Sequence, residues 1–163
     1  MMPDVIADTS PLQYLYQAGV LFLLPELFGG VVIPEAVAGE LEAGKARGVS
    51  LPDPGTCSWL QVRPVEQRAF LPLVTHLGNG EKEVLALGLE SLESLLLLDD
   101  MLARRHAGLL SLRVMGTLGV LLLGKKHGKL EAVRPVMDHL EALGFRLSVH
   151  TRRAILELAQ ELE

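Results

Sequence analysis

Val5-Ile6-Ala7-Asp8-Thr9-Ser10-Pro11 sets the architecture. Three small or branched apolar residues, too few for a helix, read as a short buried strand that stops on an acid. Thr9-Ser10-Pro11 then opens a helix, with Pro in the first turn where its missing N–H costs nothing. The same grammar recurs at Leu95-Leu96-Leu97-Leu98-Asp99-Asp100, an apolar run that ends on two acids. Val31-Val32-Ile33 is another buried strand, and Pro34 after it opens a helix to about Arg47. Leu60-Gln61-Val62 and Arg113-Val114-Met115 complete the strand candidates. The intervening stretches read as helices over about 12–18, 21–28, 66–76, 81–92, 101–108, 117–127, 132–143 and 151–162. Residues 48–56, rich in Pro and Gly, read as a loop. Strands alternating with helices predict an α/β fold, a parallel sheet covered on both faces.

Bulk composition agrees. The chain has 163 residues, 49% hydrophobic and only 4% aromatic. One domain over 1–163 is expected, with 132–163 as C-terminal helices packed on it. No apolar run is long enough to span a membrane. The early residues carry Asp4 and Asp8 rather than basic residues, which argues against a secretory leader. Cys57 is the single cysteine, so neither an internal disulfide nor a cysteine zinc site is available, and a cytoplasmic setting is expected. Net charge is −5, but it is unevenly spread: residues 1–100 balance to −9 and residues 101–153 to +7. That pattern suits solvated helix faces, or an acidic centre bordered by a surface that guides a phosphate backbone.

In open parallel sheets, sites form beyond the carboxyl ends of the strands. Asp8 and the Asp99-Asp100 pair stand there, and Asp4 stands at the other end. Helical geometry adds two more acids. At 100° per residue, Glu40 lies about 60° from Val37, on the border of an apolar face, while Glu35 and Glu42 point away. Glu81 falls within about 60° of Val84, Leu85, Gly88 and Leu92, and Glu83 and Glu90 project from the opposite side. Ionised carboxylates gathered near apolar faces repel one another, and each raises its neighbours' pKa. A hard divalent cation resolves that conflict, and Mg²⁺ accepts oxygen ligands while keeping several waters. Each acid also has a plainer use. Asp8 could cap the first helix; Asp99 or Asp100 could cap the next, and Asp100 could pair with Arg104 at i+4. Glu81 suits a helix N-terminus through the dipole.

Taken in order, these segments resemble the PIN-domain family. Asp8-Thr9-Ser10-Pro11-Leu12 is similar to its first motif, and Ile33-Pro34 through Val37, Glu40 and Leu41 to its second. Gly80-Glu81 with Glu83, Ala86 and Leu87 resembles the third. Leu98-Asp99-Asp100 with Ala103-Arg104 and Ala107 resembles the fourth. Gly116-Thr117-Leu118-Gly119-Val120-Leu121, followed by Leu140, Gly144-Phe145 and Ser148, is similar to a PIN-like branch related to bacterial and archaeal toxin nucleases. The resemblance implies a three-layer α/β/α fold with a central parallel sheet and an endoribonuclease dependent on Mg²⁺ or Mn²⁺. It implies RNA as substrate, a small antitoxin protein as partner, and a homodimer. Asp8, Glu40, Glu81, Asp99 and Asp100 become the catalytic, metal-binding acids, with the choice between the adjacent aspartates open. Ser10 becomes the hydroxyl that supports the first acid, and Arg104 a residue that orients Asp100 or contacts phosphate. Arg105, Lys125 and Lys126 are candidates for holding RNA. This chain departs from the pattern at Leu98, where many relatives have Thr, and at Glu81, where Asp is common. The alternative is a PIN-fold module that binds or oligomerises without catalysis. A haloacid-dehalogenase-type phosphatase wants a second Asp where Ser10 stands.

Overall fold

The computed structural model describes residues 3–162. Five short strands form one sheet: β1 (Val5–Ala7), β2 (Val31–Pro34), β3 (Leu60–Arg63), β4 (Leu95–Leu97) and β5 (Arg113–Met115). They lie in the order β3-β2-β1-β4-β5, all parallel. Eight α-helices accompany them among the described residues: α1 (Thr9–Gln17), α2 (Leu23–Phe28), α3 (Glu35–Ala46), α4 (Asn79–Glu90), α5 (Met101–Leu109), α6 (Thr117–Lys126), α7 (Arg134–Ala142) and α8 (Val149–Leu158). The result is the three-layer α/β/α arrangement that alternating strands and helices predict.

Strands of three residues hold because both faces are covered. Val5, Ile6, Ala7, Val31, Val32, Ile33, Leu96 and Leu97 are all buried, as parallel strands require. α4 lies across β1, β2 and β4, between α3 and α5, while α6 packs with α1, α2 and α8. The approach of α4 to the sheet is close. A Cβ at Gly88 would come 3.0 Å from Leu96 Cδ2 and 3.1 Å from Leu112 Cδ1.

The strand order decides where a site can lie. From β1 the chain moves outward through β2 to β3, then returns past β1 to β4 and β5. Connections therefore leave β1 and β4 in opposite directions, and a crevice opens between their carboxyl ends. Asp8 follows β1 and Asp99-Asp100 follow β4, so the sheet delivers three acids to that crevice.

Two expectations need correction. The segment 66–76 is no regular helix; only Arg68–Leu73 winds, as a 3₁₀ helix containing Pro72. Pro lacks the N–H that a continuing ladder needs. Glu83, expected on the side of its helix away from the buried face, is drawn inward: its side chain is 12% exposed, and Oε1 accepts the Ala36 N–H at 3.0 Å. α3 begins directly beside α4, so Glu83 satisfies one of the free amides that open α3.

At the far end, Glu161 fastens the C-terminal region. It accepts the amides of Val133 and Arg134 and the ammonium of Lys125. Lys125 also donates to the Ala159 carbonyl. Two of its three N–H donors are thus held inside the fold, which turns Lys125 toward the C-terminal region rather than toward the acids. Lys126 is exposed, but it ends α6 while Thr117 begins it. At 1.5 Å per residue this places its backbone roughly 13 Å along the helix from the crevice.

Candidate active site

Asp8, Glu81, Asp99 and Asp100 line one open hollow of about 1030 Å³, together with Ser10, Arg104, Gly116 and residues of the α7–α8 connection. Glu40 does not line it but lies close enough for its charge to act on Asp8 and Glu81. All five acids singled out in the sequence are thus brought to one end of the sheet, in different circumstances.

Asp8 is 6% exposed. It stands at the N-cap position of α1, yet its side chain makes no capping hydrogen bond. Burial, together with the charges of Glu81, Glu40 and Asp99, outweighs the nearby Thr9 amide and pushes its carboxyl up to about 7. Glu81 occupies the first turn of α4. Burial, then the adjacent Asp100, with which it shares a hydrogen bond, and the charge of Glu40 push it up to about 7 as well, against the Gly78 amide. Neither acid has a Lys or Arg partner within ion-pair distance among the described residues.

The other three are fixed by hydrogen bonds. Glu40 reaches from α3, where Oε2 accepts the Thr9 hydroxyl at 2.5 Å and Oε1 accepts the Gly80 N–H at 3.0 Å. Gly80 is required by this approach, since a Cβ would fall 2.7 Å from both carboxylate oxygens. Asp99 accepts three donors: the Ser10 hydroxyl at 3.0 Å, and the Thr117 amide and hydroxyl at 2.7 Å each. It therefore ties β4 to the start of both α1 and α6. Asp100 caps α5 through the Ala103 N–H at 2.9 Å. Its plainer use is real, and it still stands beside Glu81 in the lining of the hollow.

Several assignments shift accordingly. Ser10 supports Asp99 rather than Asp8. Arg104 forms no ion pair with Asp100, whose carboxylate is turned to the α5 amide instead. Thr9, Thr117 and Gly80 hold acids in place, a role that their appearance in the motif-like segments did not assign to them. Arg146 reaches the hollow from the α7–α8 connection, a contribution that no sequence spacing suggested. Arg105 is exposed and outside the hollow.

The donor set is all oxygen, as a hard divalent cation prefers. Among the described residues no group of three or more His, Cys, Asp or Glu side chains already stands in a metal-holding arrangement. Glu40 and Asp99 are held by hydrogen bonds from Thr9, Gly80, Ser10 and Thr117. Asp8 and Glu81 retain oxygens facing the hollow, with Asp100 beside them. Mg²⁺ needs only one or two carboxylates and fills its remaining positions with water, so these residues fit such an ion. Two carboxyls kept partly protonated near pH 7 in the apo protein are a feature that a cation would reverse.

A family model described as a PIN domain matches residues 4–161. No curated protein and no solved structure matches significantly.

Proposed function

The chain belongs to the PIN-domain family, a nuclease-type fold that typically works with divalent metal, and on that footing we propose that it is a metal-dependent endoribonuclease. The observation that carries the reading is the pair Asp8 and Glu81. Both are held up to about 7, and neither has a cationic partner among the described residues, at the crevice where β1 and β4 part.

Asp8, Glu81 and Asp100 would hold Mg²⁺ or Mn²⁺, directly or through water. An ion held there would supply an activated water and charge stabilisation for the leaving oxygen of a phosphodiester. The protein's own contribution is placement. Thr9 and Gly80 lock Glu40 behind the floor, so its negative charge stays on Asp8 and Glu81 and favours a cation there. Ser10 and Thr117 lock Asp99, which fixes the edge of the crevice between β4 and α6. RNA is the substrate in this reading. A toxin role with a small antitoxin chain, and a homodimer, belong to the same proposal through the family branch that the Gly116–Leu121 block resembles.

The test is cleavage of RNA in Mn²⁺ by the wild type and by Asp8→Asn. Cleavage that requires metal and vanishes in the variant supports the assignment. Cleavage that persists unchanged in Asp8→Asn, or no heat of Mn²⁺ binding in calorimetry, sinks it and favours a PIN fold that only binds.

A further inference from the structure

We propose that Arg104 and Arg146 form a two-point clamp for the phosphate backbone of the RNA strand, with Arg104 holding the phosphate nearest the acidic floor. The proposal rests on the nuclease reading of the same hollow.

Charge poses the problem. The floor carries Asp8, Glu81, Asp99 and Asp100, with Glu40 behind it. A divalent cation offsets only part of that charge, so a phosphodiester arriving there meets a negative field unless cations stand beside it. Among the described residues only two basic side chains line the hollow, Arg104 and Arg146. Many of the other basic residues in 101–153 are committed elsewhere. Lys125 serves Glu161, Lys129 pairs with Glu26, Arg152 pairs with Asp138 and Glu141, and Arg113 and Arg134 donate to the carbonyls of Glu93 and Glu161.

Arg104 is the more informative of the two. It sits beside two aspartates and pairs with neither. Asp99 has three donors already, and Asp100 is turned to the Ala103 amide. The Arg104 guanidinium is nevertheless seated against the floor. A Cβ on Gly116 would lie 2.6 Å from Arg104 Nη1 and 3.1 Å from Asp99 Oδ1, so both groups crowd the same glycine. A guanidinium that lies beside these carboxylates and pairs with neither keeps its fork free for another anion, and its planar donors match two oxygens of a phosphate. Arg146 comes from the loop between α7 and α8, beside Phe145, whose ring packs edge-on against Tyr14 of α1 at 5.0 Å. That aromatic contact anchors the loop to the helix that starts just after Asp8, which keeps Arg146 at the rim without making it part of the floor.

Both are therefore positioning residues for the strand, and they act differently. Loss of Arg104 disturbs the phosphate at the reacting bond, so it lowers kcat as well as weakening binding. Loss of Arg146 loosens a neighbouring phosphate and raises KM.

The experiment uses full-length protein and a short fluorescein-labelled single-stranded RNA. Anisotropy in EDTA reads binding, and cleavage in Mn²⁺ reads turnover, both across a salt series. The variants are Arg104→Gln, Arg104→Lys, Arg146→Gln and, as a charge-matched control outside the hollow, Arg105→Gln. Each of the two clamp-neutralising variants is expected to weaken binding about tenfold and to flatten the salt slope by about 0.7, the value for one phosphate contact on a single strand. Arg105→Gln should leave the slope unchanged, and Arg104→Lys should restore the slope without restoring kcat. Mn²⁺ binding by calorimetry should match wild type in all four, which separates the clamp from damage to the floor. A wild type that cleaves while Arg104→Gln and Arg146→Gln keep its affinity and slope overturns the clamp and leaves the nuclease reading standing. A wild type that binds this RNA with arginine-dependent slopes but never cleaves it supports the clamp and removes the nuclease reading. Equal losses in Arg105→Gln, or no binding by the wild type, overturn the clamp.

Discussion

Replacing Asp8 by Asn should make the metal-free protein more stable in alkaline solution. The Asp8 carboxyl titrates near 3.8 in an unfolded chain and at about 7 in the folded one. Below the first value both states hold the proton, and stability is unaffected. Between the two values only the folded state holds it, so the native state loses up to about 1.4 kcal/mol for each pH unit climbed. Above 7 the loss is complete and amounts to about 4 kcal/mol, taken as an upper figure because Glu81 titrates in the same field. Glu81 is more open to water, and its share is not added. Asn has nearly the same shape and never ionises, so the loss disappears in the variant. For a chain of this size 1 kcal/mol moves Tm by roughly 2–4 °C, which sets a gain on the order of 10 °C at alkaline pH in EDTA. The assay is thermal unfolding of both proteins across a pH series from mildly acidic to alkaline, with and without Mn²⁺. At the acidic end the two curves should lie closest together. Towards the alkaline end the wild type should fall away in EDTA and recover in Mn²⁺, and the Asp8→Asn protein should do neither. If the variant tracks the wild type at every pH, Asp8 is not an uncompensated buried acid and the cation argument loses its base.

Other substitutions probe the scaffold of the hollow. Gly80→Ala lies inside α4, where Ala ordinarily helps by up to about 1 kcal/mol; here it should destabilise by about 1–3 kcal/mol, read by urea unfolding, because its methyl meets Glu40 at 2.7 Å. Thr117→Val keeps the amide donated to Asp99 but deletes the hydroxyl, and should cost about 1–3 kcal/mol at this fully buried position, with a loss of cleavage alongside. Ser94→Ala should be neutral or stabilise by up to about 1 kcal/mol in the same assay, since the Ser94 hydroxyl is buried without a hydrogen-bond partner.

How far the residues announced this arrangement depends on the kind of signal each carried. Asp8 and Asp99-Asp100 were legible because apolar runs of strand length stop on them, and strand ends are where parallel sheets place their sites. Glu81 was legible from its phase on one helix. Glu83 misled for the same reason: a helical wheel knows its own axis, not the neighbouring α3 amide that draws Glu83 inward. The segment 66–76 looked helical by apolar content, but Pro72 removes a donor and the chain settles for a 3₁₀ turn. Thr9 and Thr117 gave no mark as supports, since a hydroxyl that helps a distant carboxylate has no local pattern. Arg146 was hidden for the opposite reason from Lys125. One comes into the hollow through a loop far along the chain, and the other is drawn away from it by Glu161, which lies further still.

β1 pairs with β4 so that Val5 stands against Leu95, and Asp99 is completed by Thr117 after β5. The first-made strand can therefore meet β2 early but waits for β4 on its other side, and the rim arrives later still, with Arg146 and α8. Contacts so distant in sequence form slowly, after loop closure has been met. During synthesis Asp8 and Glu40 are made before Glu81, Asp99 and Asp100, so the hollow is not yet assembled. On the proposed reading a nascent chain should accordingly be harmless to the transcript being translated, becoming able to grip and cut a strand only after β4, β5 and the α7–α8 connection have joined β1.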